Sequence, residues 1–298
     1  MNLYDEIKSH FILPDAFEDW KDYRNILTDY LIAQTDSISL PLSFCPGMQP
    51  SDLLPTLAVL GAGACNDLNL ERLCPHFSRI TLIDNQTASM ETALRTYHLE
   101  QSPVIECVTA SLNGLEDTDY QDFCEALQYF VRGEQQTLTP ERFEAFALSR
   151  IGSKPNRQVP LAPASYDYIW CFGVHSQLQA MYSYIYHVFE VNLRHTLFQN
   201  TEWNSHVFYD RLKEENRIWI PHFHDALLAS ANKAVFLGLE QRRLGTEGAI
   251  EGAWQGIEDI RHRKLSYTEH TAIWPFCPAR SLSYEMRMFH ISTLYRFV

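Results

Sequence analysis

Paired cysteines, long apolar runs and positive charge are all scarce in this sequence. Seven cysteines, an odd number, are scattered over 298 residues with no Cys-x-x-Cys pair. Neither a disulfide framework nor a zinc ribbon is indicated, and a reducing cytoplasm is the expected home. No stretch approaches the roughly 20 apolar residues that a membrane-spanning helix needs. The opening MNLYDEIKSHF is charged and lacks the apolar core expected of a secretory signal. Lysine and arginine number 24 against 37 aspartates and glutamates, giving a formal charge of -13 and a pI of about 5.3. Such an average field repels nucleic acid. The dense basic clusters, Arg242-Arg243 and Arg261-His262-Arg263-Lys264, read as solvated surface. Internal repeats and low-complexity segments are absent as well.

What is present begins with a hydrophobic content of 46%, enough for a large buried core. The chain is organised around residues 57–84, LAVLGAGACNDLNLERLCPHFSRITLID. An apolar run leads into Gly61-Ala62-Gly63, a helix-like segment extends from Asn66 to about Leu73, and a second apolar run ends in Asp84. Strand, glycine turn, helix, strand and acid open a parallel βαβ unit that holds a nucleoside. The glycines permit a sharp turn and close approach of a ligand to bare backbone. Asp84 can accept bonds from vicinal ribose hydroxyls. A dinucleotide fingerprint wants a third glycine where Asn66 stands, and Asp67, read here as lying in the first helical turn, would sit badly beside a pyrophosphate. A ligand with a ribose and no phosphate fits better.

VLGAGACNDL followed by ITLIDNQTASMETA resembles the cofactor-binding start of the class I S-adenosylmethionine-dependent methyltransferases. Their usual motif is acid-x-Gly-x-Gly-x-Gly; here Val59 holds the acidic position and Cys65 the last glycine. The resemblance covers the core strands. It implies an α/β fold: a Rossmann-like, mostly parallel seven-stranded sheet with helices on both faces and an antiparallel last strand. It implies S-adenosylmethionine as cofactor, with Gly61, Ala62 and Gly63 along its methionine part, Asp84 on its ribose and Asn85 near its adenine. Ala110 and Ser111, after the third strand, would flank the adenine, and Phe172 would end the fourth strand beside the transferable methyl. Asn66, otherwise a capping or turn residue, could reach the cofactor's tail.

Along the chain, residues 1–56 read as a helical segment ahead of the sheet, either lying over the cleft or forming an outer layer. Leu3, Ile7 and Phe11 give one helical stripe, and Phe17, Trp20, Tyr23, Ile26 and Leu27 another. Residues 34–56, rich in proline, read as an irregular connection that could hide a short helix at 51–54. Residues 57–298 form the α/β domain, with helical insertions near 113–165 and 178–232 that exceed one crossover. The 152–156 stretch reads as loop and His222 to Ser230 as a short helix. Strands are expected at 104–108, 166–172 and 233–239, with a closing hairpin at 266–274 and 283–292.

Methyl transfer needs alignment, exclusion of water and, for a protonated nucleophile, a base. His175, in the turn after the fourth strand, is the candidate base, the alternative being a histidine bonded within its loop. His222 and His224 are candidates for a metal only as a pair with Asp225 nearby, and no metal is required. Cys65 and Cys171 lack an activating partner. Tyr184 and Tyr186 fall off the apolar stripe of their helix, so one could face a ligand. The expectation is a methyltransferase acting on a small-molecule acceptor. An NAD(P)-dependent oxidoreductase and a non-catalytic methyltransferase-like binding protein are the alternatives.

Overall fold

A computed structural model describes residues 2–10, 12–38, 54–151, 157–199, 201, 203 and 206–293. Seven strands, β1 (Thr56–Leu60), β2 (Arg79–Asp84), β3 (Ile105–Thr109), β4 (Tyr166–Phe172), β5 (Ala231–Arg243), β6 (Tyr267–Cys277) and β7 (Leu282–Ser292), form one sheet in the order β3-β2-β1-β4-β5-β7-β6. β1 to β5 pair in parallel, and β7 runs antiparallel to both β5 and β6. The fold is therefore the Rossmann-like sheet with an inserted antiparallel last strand that the sequence led one to expect.

Alternation along the central strands divides the core between the two faces, because successive side chains of a strand point oppositely. Leu57, Val59, Tyr168, Trp170 and Phe236 pack on one face with Leu27, Leu31, Met90 and Ala93. Ala58, Leu60, Ile169, Cys171, Val235 and Leu237 pack on the other with Phe223, Leu227, Ile257 and Ile260. The first face is covered by α3 (Lys21–Ile38) and α5 (Thr87–Thr96), following α1 (Leu3–Ser9) and α2 (Ala16–Asp19). A third core, centred on Phe123, Phe143, Tyr186 and Phe208, lies among α1, α6 (Asp117–Glu134), α7 (Pro140–Arg150), α8 (Ala180–Thr196) and the start of α9 (His206–Ser230). The second sheet face also carries α10 (Ala253–His262).

The structure corrects three sequence expectations here. The helix after the glycine turn is only α4 (Leu70–Leu73), capped by Asn69 and continued by a 3₁₀ turn at Cys74–His76. Residues 65–69 are held open by their neighbours instead. The Tyr97 hydroxyl donates to the carbonyls of Cys65 (3.1 Å) and Leu68 (2.7 Å), Arg24 donates to that of Asn66 (3.1 Å), and the Asn69 amide donates to Thr28 (3.0 Å). Backbone groups satisfied by side chains have no need of a helical ladder. The segment at 222–230 is the second half of the 25-residue α9, which continues through Pro221. Trp219 and Ile220 before the proline and Phe223 and Leu227 after it bury in the same core, which holds the two halves in line. Residues 34–38 belong to α3 and are not irregular; the rest of that connection, Phe11 and the 152–156 stretch lie outside the described residues, apart from residues 54–56, which lead into β1.

No helix among the described residues is long and apolar enough to cross a membrane. Within the basic clusters, Arg242 pairs with Glu285 (2.7 Å), Arg261 with Glu269 (2.6 Å), and Arg263 with Asp259 and Asp225 (2.5 Å each).

Candidate cofactor cleft

A cavity of about 630 Å³ opens at the carboxyl ends of β1, β2, β3 and β4, where open α/β sheets bind ligands. Gly61, Ala62, Gly63, Asn66, Asp84, Asn85, Ala110, Ser111 and Phe172 all line it. The glycine turn is built by left-handed backbone at Gly61 (φ +65°) and Gly63 (φ +49°). At Gly61 a Cβ would come within 2.5 Å of Val174, whereas nothing stands within 4 Å of the same position at Gly63. One glycine packs and the other leaves bare backbone. Cys65, in the place of the motif's last glycine, adopts φ +48°. The left-handed conformation glycine would supply is thus kept at a cost of about 1–2 kcal/mol, with the Cys65 side chain fully buried.

Asp84 is the hinge of this geometry. One carboxylate oxygen accepts from the Gly63 amide (2.9 Å) and the other from the Gln86 amide (2.8 Å). Burial raises its pKa above the usual carboxylate range, and these amide bonds oppose the rise. Gly61 and Ala62 both donate to the Ile83 carbonyl at 2.9 and 3.2 Å, so the turn is laced to the end of β2 from two sides. Beyond β3, Ser111 donates to Asn113 (2.8 Å), and Asn113 donates to the Tyr120 hydroxyl (2.7 Å) and the Leu178 carbonyl. That buried knot ties the β3 loop to α6 and to the segment entering α8.

The remaining walls come from segments far apart in sequence. Trp20 and Tyr23 bring the α2–α3 corner, Trp274 and Phe276 the end of β6, and Tyr184 the first turns of α8. Trp20 and Trp274 meet edge to face at 4.8 Å. α3 covers the sheet, and its start borders the cleft. Tyr184 faces the cavity while Tyr186 is fully buried in the helical core.

Asp67, expected in the first helical turn, is instead on the cavity wall, ahead of the helix. Trp170 donates to it (3.4 Å). Burial pushes its pKa up to about 6, held back by the Trp170 bond, its own backbone amide and Arg24. Trp170 also stacks on Phe172 at 3.7 Å with the rings 2° from parallel, and so positions Phe172 on the wall.

His175, the candidate base, does not line this cavity. It is fully buried and absent from the lining, in the 3₁₀ turn His175–Gln177 behind it. Its Nε2 lies 2.8 Å from Nε2 of His224, whose Nδ1 lies 2.6 Å from Asp259. With Asp259 accepting from Nδ1 of His224, that ring's Nε2 is the acceptor and His175 the donor. Nδ1 of His175 then carries no proton, and it finds no partner among the described residues. Burial first and the neighbouring His224 second hold His175 well below the usual histidine range, against Asp259. Burial likewise lowers His224, against its bond to Asp259. His222 is exposed on α9 while His224 is buried, which separates the pair considered for a metal.

This buried pair has a pH consequence. A histidine depressed in the folded state contributes stability that is complete above the unfolded pKa of about 6.5 and is lost as pH falls below it. Asp67 and Glu240, raised by burial, act in the opposite sense over the acid range, so the histidines are isolated by difference. Denaturant titrations between about pH 5 and 7.5 should show His175→Leu losing less stability on acidification than the parent chain. Equal slopes would mean that the pair is not held neutral.

No family model matches this sequence, and none of the curated proteins does. Among solved structures, the chain is similar to a SAM-dependent methyltransferase from Aquifex aeolicus (10% identity, 98% of this chain and 99% of that one, TM-score 0.43). It is also similar to magnesium protoporphyrin IX methyltransferase from Synechocystis with bound SAH (12%, 92% and 85%, TM-score 0.42). A third is the N-methyltransferase NodS from Bradyrhizobium japonicum in complex with S-adenosyl-L-homocysteine (13%, 98% and 98%, TM-score 0.42). On its own strand order, with β7 antiparallel between β5 and β6, the chain has the Rossmann-like fold of the class I methyltransferases that its sequence resembles.

Proposed function

We propose that the protein is an S-adenosylmethionine-dependent methyltransferase that modifies a small molecule in a reducing cytoplasm. The observation that carries this reading is Asp84: its carboxylate ends β2, pins the glycine turn through Gly63 and still borders the cavity, so its remaining lone pairs suit vicinal ribose hydroxyls. The residues present fit the cofactor: bare backbone at Gly63, an acid for the ribose, and Asp67 for a cationic tail. A pyrophosphate is poorly served, because α4 is four residues long and begins well past the turn. When bound, the cofactor supplies a methyl carbon on a sulfonium, a good leaving group for in-line displacement. The chain's part is to align and to dry: Phe172, Trp274 and Tyr184 wall the cavity, and α8 and the Asn113 knot roof it. The acceptor would enter between α8 and the aromatic wall, a space scaled for a small molecule.

Calorimetric titration with S-adenosylmethionine and S-adenosylhomocysteine tests the reading; no heat at about millimolar ligand would remove it. The pH course adds a signature. Ionised Asp67 favours the ligand's ammonium group, so affinity should rise by up to about tenfold per pH unit below pH 6 and level off above it. Asp67→Asn should make that slope shallower, leaving the part due to Asp84. The withdrawal of His175 from the wall favours one second reading, a methyltransferase-like protein that binds the cofactor without turnover. Product formation across a panel of acceptors separates the two.

A further inference from the structure

Behind the first turn of α8 lies a second cavity of about 470 Å³, bordered by α8, α9 and the segment before α10. Ala180 and Tyr184 line both this chamber and the cofactor cleft, so one helical turn with a small residue is the partition. Two of its lining side chains are amides buried to 4% and 5% exposure, Gln179 and Asn216. Nε2 of Gln179, a donor, and Oδ1 of Asn216, an acceptor, have no hydrogen-bond partner among the described residues. Leaving a buried donor and a buried acceptor unpaired costs about 1–3 kcal/mol each, a cost that a bound polar group reached by a turn of these two side chains would relieve.

The chemistry of the lining narrows what that is. Lys213 is met by Asp210 (3.1 Å) and Glu251 (4.0 Å), so no uncompensated cation awaits an anion. Ser183 adds a hydroxyl, and Tyr184 and Tyr209 add ring surface, the Tyr209 hydroxyl being engaged by Glu190 (3.0 Å). A donor and an acceptor beside aromatic surface suit a neutral group that can both take a hydrogen bond and give one. A hydroxyl does this, and a hydroxylated ring also lies flat against tyrosine.

We propose that this chamber binds a neutral, polyhydroxylated group, and that the group is the distal part of the methyl acceptor. Only the second half of that statement rests on the methyltransferase reading. The shared wall would let one molecule place its hydroxylated end on Gln179 and Asn216 and its reacting end in the cleft.

The test uses the full chain and methyl glucoside as probe, followed by the backbone amide signals of Gln179, Ser183 and Asn216. Saturable shifts with a dissociation constant of about 1–10 mM are expected, present equally with saturating S-adenosylhomocysteine. Asn216→Leu should weaken the probe by roughly fivefold and leave S-adenosylhomocysteine binding unchanged. Ser183→Phe, on the chamber wall, should block the probe by filling its space. Absence of saturable shifts, indifference to both variants, or tighter binding of the carboxamide probe nicotinamide would each overturn the assignment. Glucoside binding without any binding of S-adenosylhomocysteine would refute the methyltransferase reading and keep the chamber.

Discussion

Asp84→Ala should lower the affinity for S-adenosylhomocysteine by roughly 30- to 100-fold, equivalent to about 2–3 kcal/mol. Two losses combine. Hydrogen bonds from ribose hydroxyls to a charged carboxylate disappear, and the clasp that the same carboxylate makes on the Gly63 and Gln86 amides disappears with them. The fold itself should survive, because both amides border a wet cavity and can turn to water. Asp84→Asn separates the contributions poorly, since its amide nitrogen would face a backbone donor on one side. It should therefore fall closer to the alanine variant than its shape suggests. Calorimetry with circular dichroism as a check of folding reads the effect, and wild-type affinity in Asp84→Ala would mean that no ribose is held there.

The sheet was legible in the sequence for a physical reason: buried parallel strands write themselves as apolar runs, and LAVL, ITLI and YDYIWCF stand out between turns. The glycine turn was legible because positive φ needs residues such as Gly61 and Gly63, and Asp84 because it ends a strand at a readable distance. What failed was set by tertiary partners. Tyr97, Arg24 and Thr28 hold open a stretch whose pattern suggested a helix. Nothing local in His175 tells that His224, 49 residues on, lies beneath it. Pro221 signalled a break that burial on both sides of it overrides. The aromatic wall escaped notice because Trp20 and Trp274 come from opposite ends of the chain and meet only once the β6–β7 hairpin has closed the sheet.

Gly238 provides the sharpest test of how the cleft floor is built. It pairs with Phe172 across β4 and β5, and a Cβ placed on it would fall within the Phe172 ring. Its backbone is ordinary strand, so Gly238→Ala imposes no conformational strain and acts by volume alone. Phe172 cannot retreat toward Trp170, since the two rings are already in stacking contact and Trp170 is fully buried. The ring must swing up into the cavity. Overpacking of this kind costs about 2–3 kcal/mol, a fall of roughly 5 °C in Tm, and the displaced ring should also cut S-adenosylhomocysteine affinity by at least about tenfold. The account stands on a coupling: in a Phe172→Leu background, whose shorter side chain leaves room, Gly238→Ala should cost far less in both stability and affinity. Additive effects in that double-mutant cycle would show that the floor is not set by this contact, since residues that share one space should not behave independently.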